Sequence, residues 1–146
     1  MRFEHDAQEA AYKRVGEYIG QLYGEDAEAA SDSPSFVLMR GSARIDVTVA
    51  AVGDQAVVAV YATVVSGVEP SQELYEYLLK HNAGSVFGAF GLVDGDVLFQ
   101  YAMLGETIEK LELGTTVTAV VDTADEQDEE ITRRFGGKRA RDLDAG

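Results

Sequence analysis

ARIDVTVAAVGDQAVVAVYATVV, Ala43 to Val65, is the stretch whose reading decides the fold. Its first half alternates. Ile45, Val47, Val49 and Ala51 share one face, and Arg44, Asp46 and Thr48 share the other, which is the two-residue period of a half-buried strand. Gly53-Asp54 then turns the chain in a tight hairpin. The second half, Gln55 to Val65, is rich in Val and apolar on both faces. A strand of that kind is covered on both sides, by a helix, a partner subunit or a bound peptide.

Upstream, Phe36 to Arg40 reads as a short strand joined to this hairpin by a turn at Gly41-Ser42. It is the candidate sheet edge. Glu25 to Ser35 is acidic, holds Pro34 and reads as a loop. Residues 6 to 23 read as an amphipathic helix. Asp6 with Glu9 has capping-box spacing, Tyr12, Val15, Ile19 and Leu22 form one stripe, and Gly24 is a natural stop. Gly16 and Gly20 lie one turn apart and leave a smooth strip on that helix.

Downstream, Gly67 and Pro70 break the sheet, and a second helix runs from about Ser71 to Asn82. Its apolar residues Leu74, Tyr75, Tyr77, Leu78 and Leu79 span an arc of roughly 200°, about twice a normal buried stripe. One face packs on the sheet and the rest needs a second cover, for which a dimer interface is the economical choice. Val86 to Val93 and Val97 to Met103 then form a hairpin about Asp94-Gly95.

In the last third local rules conflict. Thr115 to Val121 is β-branched, so propensity says strand. The wider pattern of Leu113, Val117, Val120, Ala124, Ile131 and Phe135 says helix, with Gln127 or Asp128 filling the missing position. Periodicity favours one helix from about Leu113 to Phe135, after a short helical piece at Glu106 to Leu111. Residues 1–137 then form one domain, and the polar tail 138–146 is expected to fray.

Composition narrows the function. The chain has 146 residues, 46% of them apolar, enough for one domain with its own core. It has no cysteine, which excludes disulfides, thiolate metal sites and a cysteine nucleophile. Acidic residues number 26 against 12 basic ones, a formal net charge of −14. Nucleic acid and anionic membranes are repelled by such a surface. With no apolar run near the ~20 residues of a membrane span and no apolar leader after Met1, the sequence predicts a cytoplasmic protein.

No catalytic motif emerges. His5 and His81 lack ligand spacing. No serine-nucleophile elbow or phosphate loop occurs. Asp94-Gly95-Asp96 is a turn rather than a calcium loop. The carboxylates from Asp122 to Glu130 read first as a solvated helix face. A docking face for a basic partner is the alternative, and a carboxylate enzyme using Mg²⁺ is a weaker one.

The resulting α-β-β-β-α-β-β-α order, α+β in class and one domain with an antiparallel sheet flanked by helices, resembles the type III secretion chaperone fold and the YbjN-like family. Leu74 through Asn82 looks like that family's "LL–x–x–N" helix. Val86-Phe87-Gly88-Ala89-Phe90-Gly91-Leu92 looks like its "F-G-x-F" strand, and the acidic helix closing on Arg134-Phe135-Gly136-Gly137 is similar to its C-terminal signature. The β-branched 115–121 segment and the glycines of the first helix depart from the pattern. The resemblance implies a non-enzymatic homodimer without cofactor or metal, holding extended segments of a protein client. The candidate peptide-binding residues are Phe36 and Leu38 on the short strand, with Tyr12 and Ile19 on the first helix. The candidate dimer contact is Leu74, Tyr75 and Leu78 with Phe87, Phe99 and Tyr101.

Overall fold

The computed structural model describes residues 1–41 and 43–143. Helix α1 spans Asp6–Tyr23. Its cap is His5 rather than Asp6, because Asp6 already has helical backbone and the Nδ1 of His5 accepts from the Gln8 N–H at 3.2 Å. The buried stripe is Gln8, Ala11, Val15 and Ile19, rotated slightly from the expected one, so Tyr12 is half-buried and Leu22 exposed. Gln8 is tolerated inside because its Nε2 donates to the Val49 carbonyl at 3.0 Å and its Oε1 accepts from the Glu4 N–H at 2.7 Å.

After Gly24, at φ 55°, a 3₁₀ turn leads into β1, Ala27–Ala29. This strand lies within the expected loop. It pairs antiparallel with β2, Ser35–Arg40, setting Ala27 opposite Leu38 and Ala29 opposite Phe36. The 36–40 strand is therefore not the sheet edge. The decisive hairpin is β3, Ala43–Val52, and β4, Gln55–Ser66, paired from Asp46 opposite Tyr61 to Val52 opposite Gln55. The expected turn at Gly41-Ser42 falls partly outside the described residues.

Helix α2, Gln72–Gly84, is capped by the Ser71 hydroxyl, which accepts from the Leu74 N–H at 3.1 Å. Strands β5, Ala89–Val93, and β6, Asp96–Leu104, meet at Asp94-Gly95, both at positive φ (50° and 84°) as a type I′ turn requires. The sheet order is β1-β2-β3-β4-β6-β5.

The conflict in the last third resolves as helix. Helix α3, Lys110–Phe135, is 26 residues long, and Leu113, Thr116, Val117, Val120, Ala124, Asp128 and Ile131 line its buried side. Burial of that stripe outweighs the strand propensity of the β-branched run, since packing supplies most helix stability in proteins. No separate helix precedes it. The chain turns at 105–107, where Arg14 donates to the Gly105 carbonyl at 2.7 Å and the Glu106 carboxylate accepts from the Ala56 N–H.

The segment expected to fray is in part ordered. Lys138–Arg139 form β7, paired with β4, and Ala140–Leu143 form a short α4. Residues 144–146 lie outside the described residues.

All three long helices lie on one face of the sheet. That face carries Phe36, Leu38, Ile45, Val47, Val49, alternate residues of β4 from Ala56 to Val64, Val97, Phe99 and Met103, all buried with the stripes of α1 and α3 and with Leu74 and Leu78 of α2. The close fit needs small residues. A Cβ on Gly105 would stand 2.8 Å from the Ala56 Cβ and 2.9 Å from the Ala11 Cβ.

Candidate peptide-binding surface

Among the described residues, none of the three long helices lies over the opposite face of the sheet. The expectation that β4 is covered on both sides holds on one side only within the chain. Ladder register sets the rows of the open face. Ala50, Val57 and Leu104 lie side by side, then Thr48, Ala59 and Ala102, then Val37, Asp46, Tyr61, Gln100 and Ala89. The β4 members are half-buried and Ala50, Ala102 and Leu104 exposed. Met39 and Val52 add further exposed apolar surface at the margins. Small residues fill its centre, so an extended backbone can approach closely. The charged pair on this face is internal: Arg44 meets Asp46 at 3.2 Å. Burial pushes the Tyr61 phenol above its ordinary pKa, the Asp46 charge adds to this and Arg44 offsets part of it.

A second uncovered apolar surface lies on α2 and the segment after it. Leu79 is 67% exposed, Val86 75%, Tyr75 43% and Phe87 42%. Leu92 and Val93 of β5 are also exposed. Isolated exposed apolar residues need no explanation, but a group of large ones on adjacent elements marks an interaction surface.

The structure relocates most of the residues picked from sequence. Phe36, Leu38 and Ile19 are buried in the core, because α1 covers β2 from the face and β1 from the side. They are not available to a partner. Tyr12 is half-buried, stacked on Phe36 at 5.0 Å and tilted against Phe3 at 5.4 Å. Gly16 packs on the Phe36 ring, while Gly20 has nothing near it. Of the six dimer candidates, Leu74, Leu78 and Phe99 are core residues of the chain itself. Tyr75 and Phe87 are exposed, and half-buried Tyr101 meets Phe87 edge to face at 6.1 Å. The wide arc of α2 thus divides: Leu74 and Leu78 inward, Tyr75 and Leu79 outward.

Two residues of the quoted signatures have a defined task. Asn82 reads the backbone of the edge strand: the Phe90 N–H donates to its Oδ1 at 2.7 Å, and its Nδ2 donates to the Phe90 carbonyl at 3.2 Å. Gly88 sits at φ 142°, where a Cβ would fall 2.4 Å from the Phe99 ring. His81 packs edge-on against Phe90 at 4.8 Å. Asn82→Ala should leave both Phe90 groups unpaired and cost about 1–3 kcal/mol, read as a lower urea midpoint at unchanged slope.

Helix α2 is tied to α3. The Tyr77 hydroxyl donates to Gln127, and the Arg134 guanidinium lies 4.7 Å over the Tyr77 ring. Asp122, Asp125, Glu126 and Glu129 form an exposed acidic row on α3. Glu130 is engaged locally, with a hydrogen bond from Arg133 at 2.6 Å holding its carboxyl below the usual range. Among the described residues no group of three or more His, Asp or Glu could hold a metal ion, and no helix is long and apolar enough to cross a membrane.

No curated protein matches the sequence. Solved structures do. The ExsC–ExsE complex contains a chain similar over 86% of this one and 96% of that one, at TM-score 0.64 and 13% identity. A chain of the HopA1–SchA chaperone–effector complex matches over 86% and 98%, at TM-score 0.63 and 13% identity. In the Yersinia pestis type III secretion chaperone SycH bound to a stable fragment of YscM2, the shares are 80% and 98%, at TM-score 0.59 and 15% identity. These likenesses establish the fold as α+β of the secretion-chaperone type. A model described as "T3SS (YopN, CesT) and YbjN peptide-binding chaperone 1" matches residues 9–143. With nearly the whole chain inside that match, the protein belongs to this family of peptide-binding chaperones.

Proposed function

We propose that the chain is a non-enzymatic homodimer that holds extended segments of a client protein in the cytoplasm. The observation that carries this reading is the pair of apolar surfaces the chain leaves uncovered, the open sheet face and the α2–β5 patch. The patch, with Leu79 and Val86 at its most exposed points, suits a second copy of the chain. The open sheet face, broad and lined with small residues, suits an extended client. Two of the similar structures are described as chaperones holding another polypeptide, which supports a polypeptide ligand. The net charge of −14 keeps a protein with such surfaces soluble.

The rival reading gives the binding to the acidic row on α3, which would dock a basic partner. Salt separates the two, because exposed charge pairing is screened within about 3 Å at 1 M ionic strength while apolar burial is not. The experiment is fluorescence anisotropy with two synthetic peptides, one neutral with alternating apolar residues and one rich in lysine. The neutral peptide is expected to bind with an affinity that changes less than about twofold between low salt and 1 M. Binding of the lysine-rich peptide alone, lost as salt rises, would overturn the proposal in favour of the acidic helix.

A further inference from the structure

The two neighbours of β4 do not follow it equally far. On one side β6 runs beside it to Val65. On the other, pairing with β3 stops at Asp46 opposite Tyr61, although β3 begins at Ala43. The first three residues of β3 diverge, and a cavity of about 390 Å³ opens there between Arg44 and Thr63, with Asp96, Asp125 and Asp128 in its lining. Beyond the gap the chain itself returns. Lys138 pairs opposite Ser66 and Arg139 opposite Val65. Val65 already meets Val97 on its β6 side, so β7 occupies the edge that β3 leaves. Ala140 helps line the cavity.

The occupant contrasts with the rest of the chain. Lys138-Arg139-Ala140-Arg141 has three basic residues in four, within a chain of net charge −14. Its ladder with β4 is only two residues long, and the ion pair from Arg139 to Asp142 at 2.9 Å lies within the segment, so it does not tie the segment to the sheet. It follows a double glycine, Gly136 and Gly137 at φ 82° and 81°. The negative charges of Asp128 and Glu129 also act on Arg139.

We propose that this edge of β4 is a strand-accepting site for a basic extended peptide, held in cis by residues 138–143 until such a segment displaces them. Main-chain bonds along β4 would supply the docking, and the carboxylates at its rim would select lysine and arginine. The proposal rests on the reading of the protein as a polypeptide binder and adds a second, self-occupied site to it.

The test uses the full chain and a labelled peptide with the sequence of residues 136–143, GGKRARDL. Gly137→Ala should detach the segment, since the new Cβ would stand 2.6 Å from the Ser66 carbonyl oxygen and 2.9 Å from the Val65 Cγ1. The peptide is expected to bind this variant about tenfold more tightly than wild type, the factor expected for a site that is free about a tenth of the time, and to be released by high salt. Equal affinity for both chains would overturn the proposal. Should Gly137→Ala not fold, Arg139→Glu decides alone, because it turns the attraction of Asp128 and Glu129 for the segment into repulsion. Tighter peptide binding by Arg139→Glu supports the site, and unchanged binding removes it. The neutral apolar peptide serves as the separate control. Its failure to bind any of these chains would count against the client reading and leave this result standing.

Discussion

Leu79→Asp is expected to sediment as a folded monomer, and the wild type is expected to sediment as a dimer. Leu79 is 67% exposed, so within one chain the substitution costs only the few tenths of a kcal/mol by which Asp is the poorer helix former. Across a two-fold interface the same residue enters twice. Each copy loses about 1.5–3 kcal/mol of apolar burial, and each carboxylate must also be desolvated. Roughly 4 kcal/mol in total corresponds to a dissociation constant raised about a thousandfold. Sedimentation velocity at micromolar concentration checks this, with a thermal melt as the folding control. A monomeric wild type, or a dimeric Leu79→Asp chain, would remove the dimer from the proposed function. The neighbouring Leu78→Asp is the wrong probe. Leu78 is 5% exposed, and a carboxylate there would be buried unpaired and would unfold the chain, so a monomer obtained that way says nothing about the interface.

Gly88→Ala, just ahead of β5, should be a strongly damaging one-carbon change. Residue 88 holds φ 142°, a conformation that side chains rarely adopt, and the added Cβ would stand 2.4 Å and 2.7 Å from two atoms of the Phe99 ring. That ring has no room to swing. It is buried, with Phe90 against it at 5.1 Å and His81 at 6.3 Å. Backbone strain of about 1–3 kcal/mol and overpacking of similar size add to a large share of a typical 5–15 kcal/mol stability. Gly91→Ala is the matched control, because the nearest atom to its Cβ would be the Gln100 Nε2 at 3.9 Å. Urea denaturation should show a large loss for the first and little change for the second. Similar midpoints for both would refute the strain account.

The parts of this fold legible in sequence are those where a long pattern meets a single environment. The alternation from Ala43 to Val52 placed β3 and its buried face, and the stripe from Leu113 to Ile131 identified α3 against its own β-branched residues. What escaped depends on contacts the pattern does not encode. Ala27-Glu28-Ala29 has no strand propensity and becomes β1 only because β2 lies beside it, so the sequence points to an edge one strand too far in. His5 caps α1 because its ring reaches Gln8, although His is not among the usual capping residues. The site suffered from the same limit. A 200° arc on α2 announces that two covers are needed without saying which leucine serves which: Leu78, a candidate for the dimer contact, faces the core, and Leu79, given no role by the sequence, is exposed. Without β1 beside it, the 36–40 strand looks like an accessible edge in sequence, and Phe36 and Leu38 with it. The open sheet face was present in the sequence as the second apolar side of Gln55 to Val65.

The bonds from Asn82 to Phe90 bear on how copies of this protein can associate. A sheet with two bare edges can join others end to end without limit, as fibrils do. Here the middle residue of the last strand, β5, has both its main-chain groups taken by a side chain of the same molecule, while the opposite end is a strand of only three residues. Growth through β5 is stoppered and growth through β1 has little to hold. Edge-to-edge growth is thereby disfavoured at both ends of the sheet, a guard that suits a chain whose own helices leave one apolar face open.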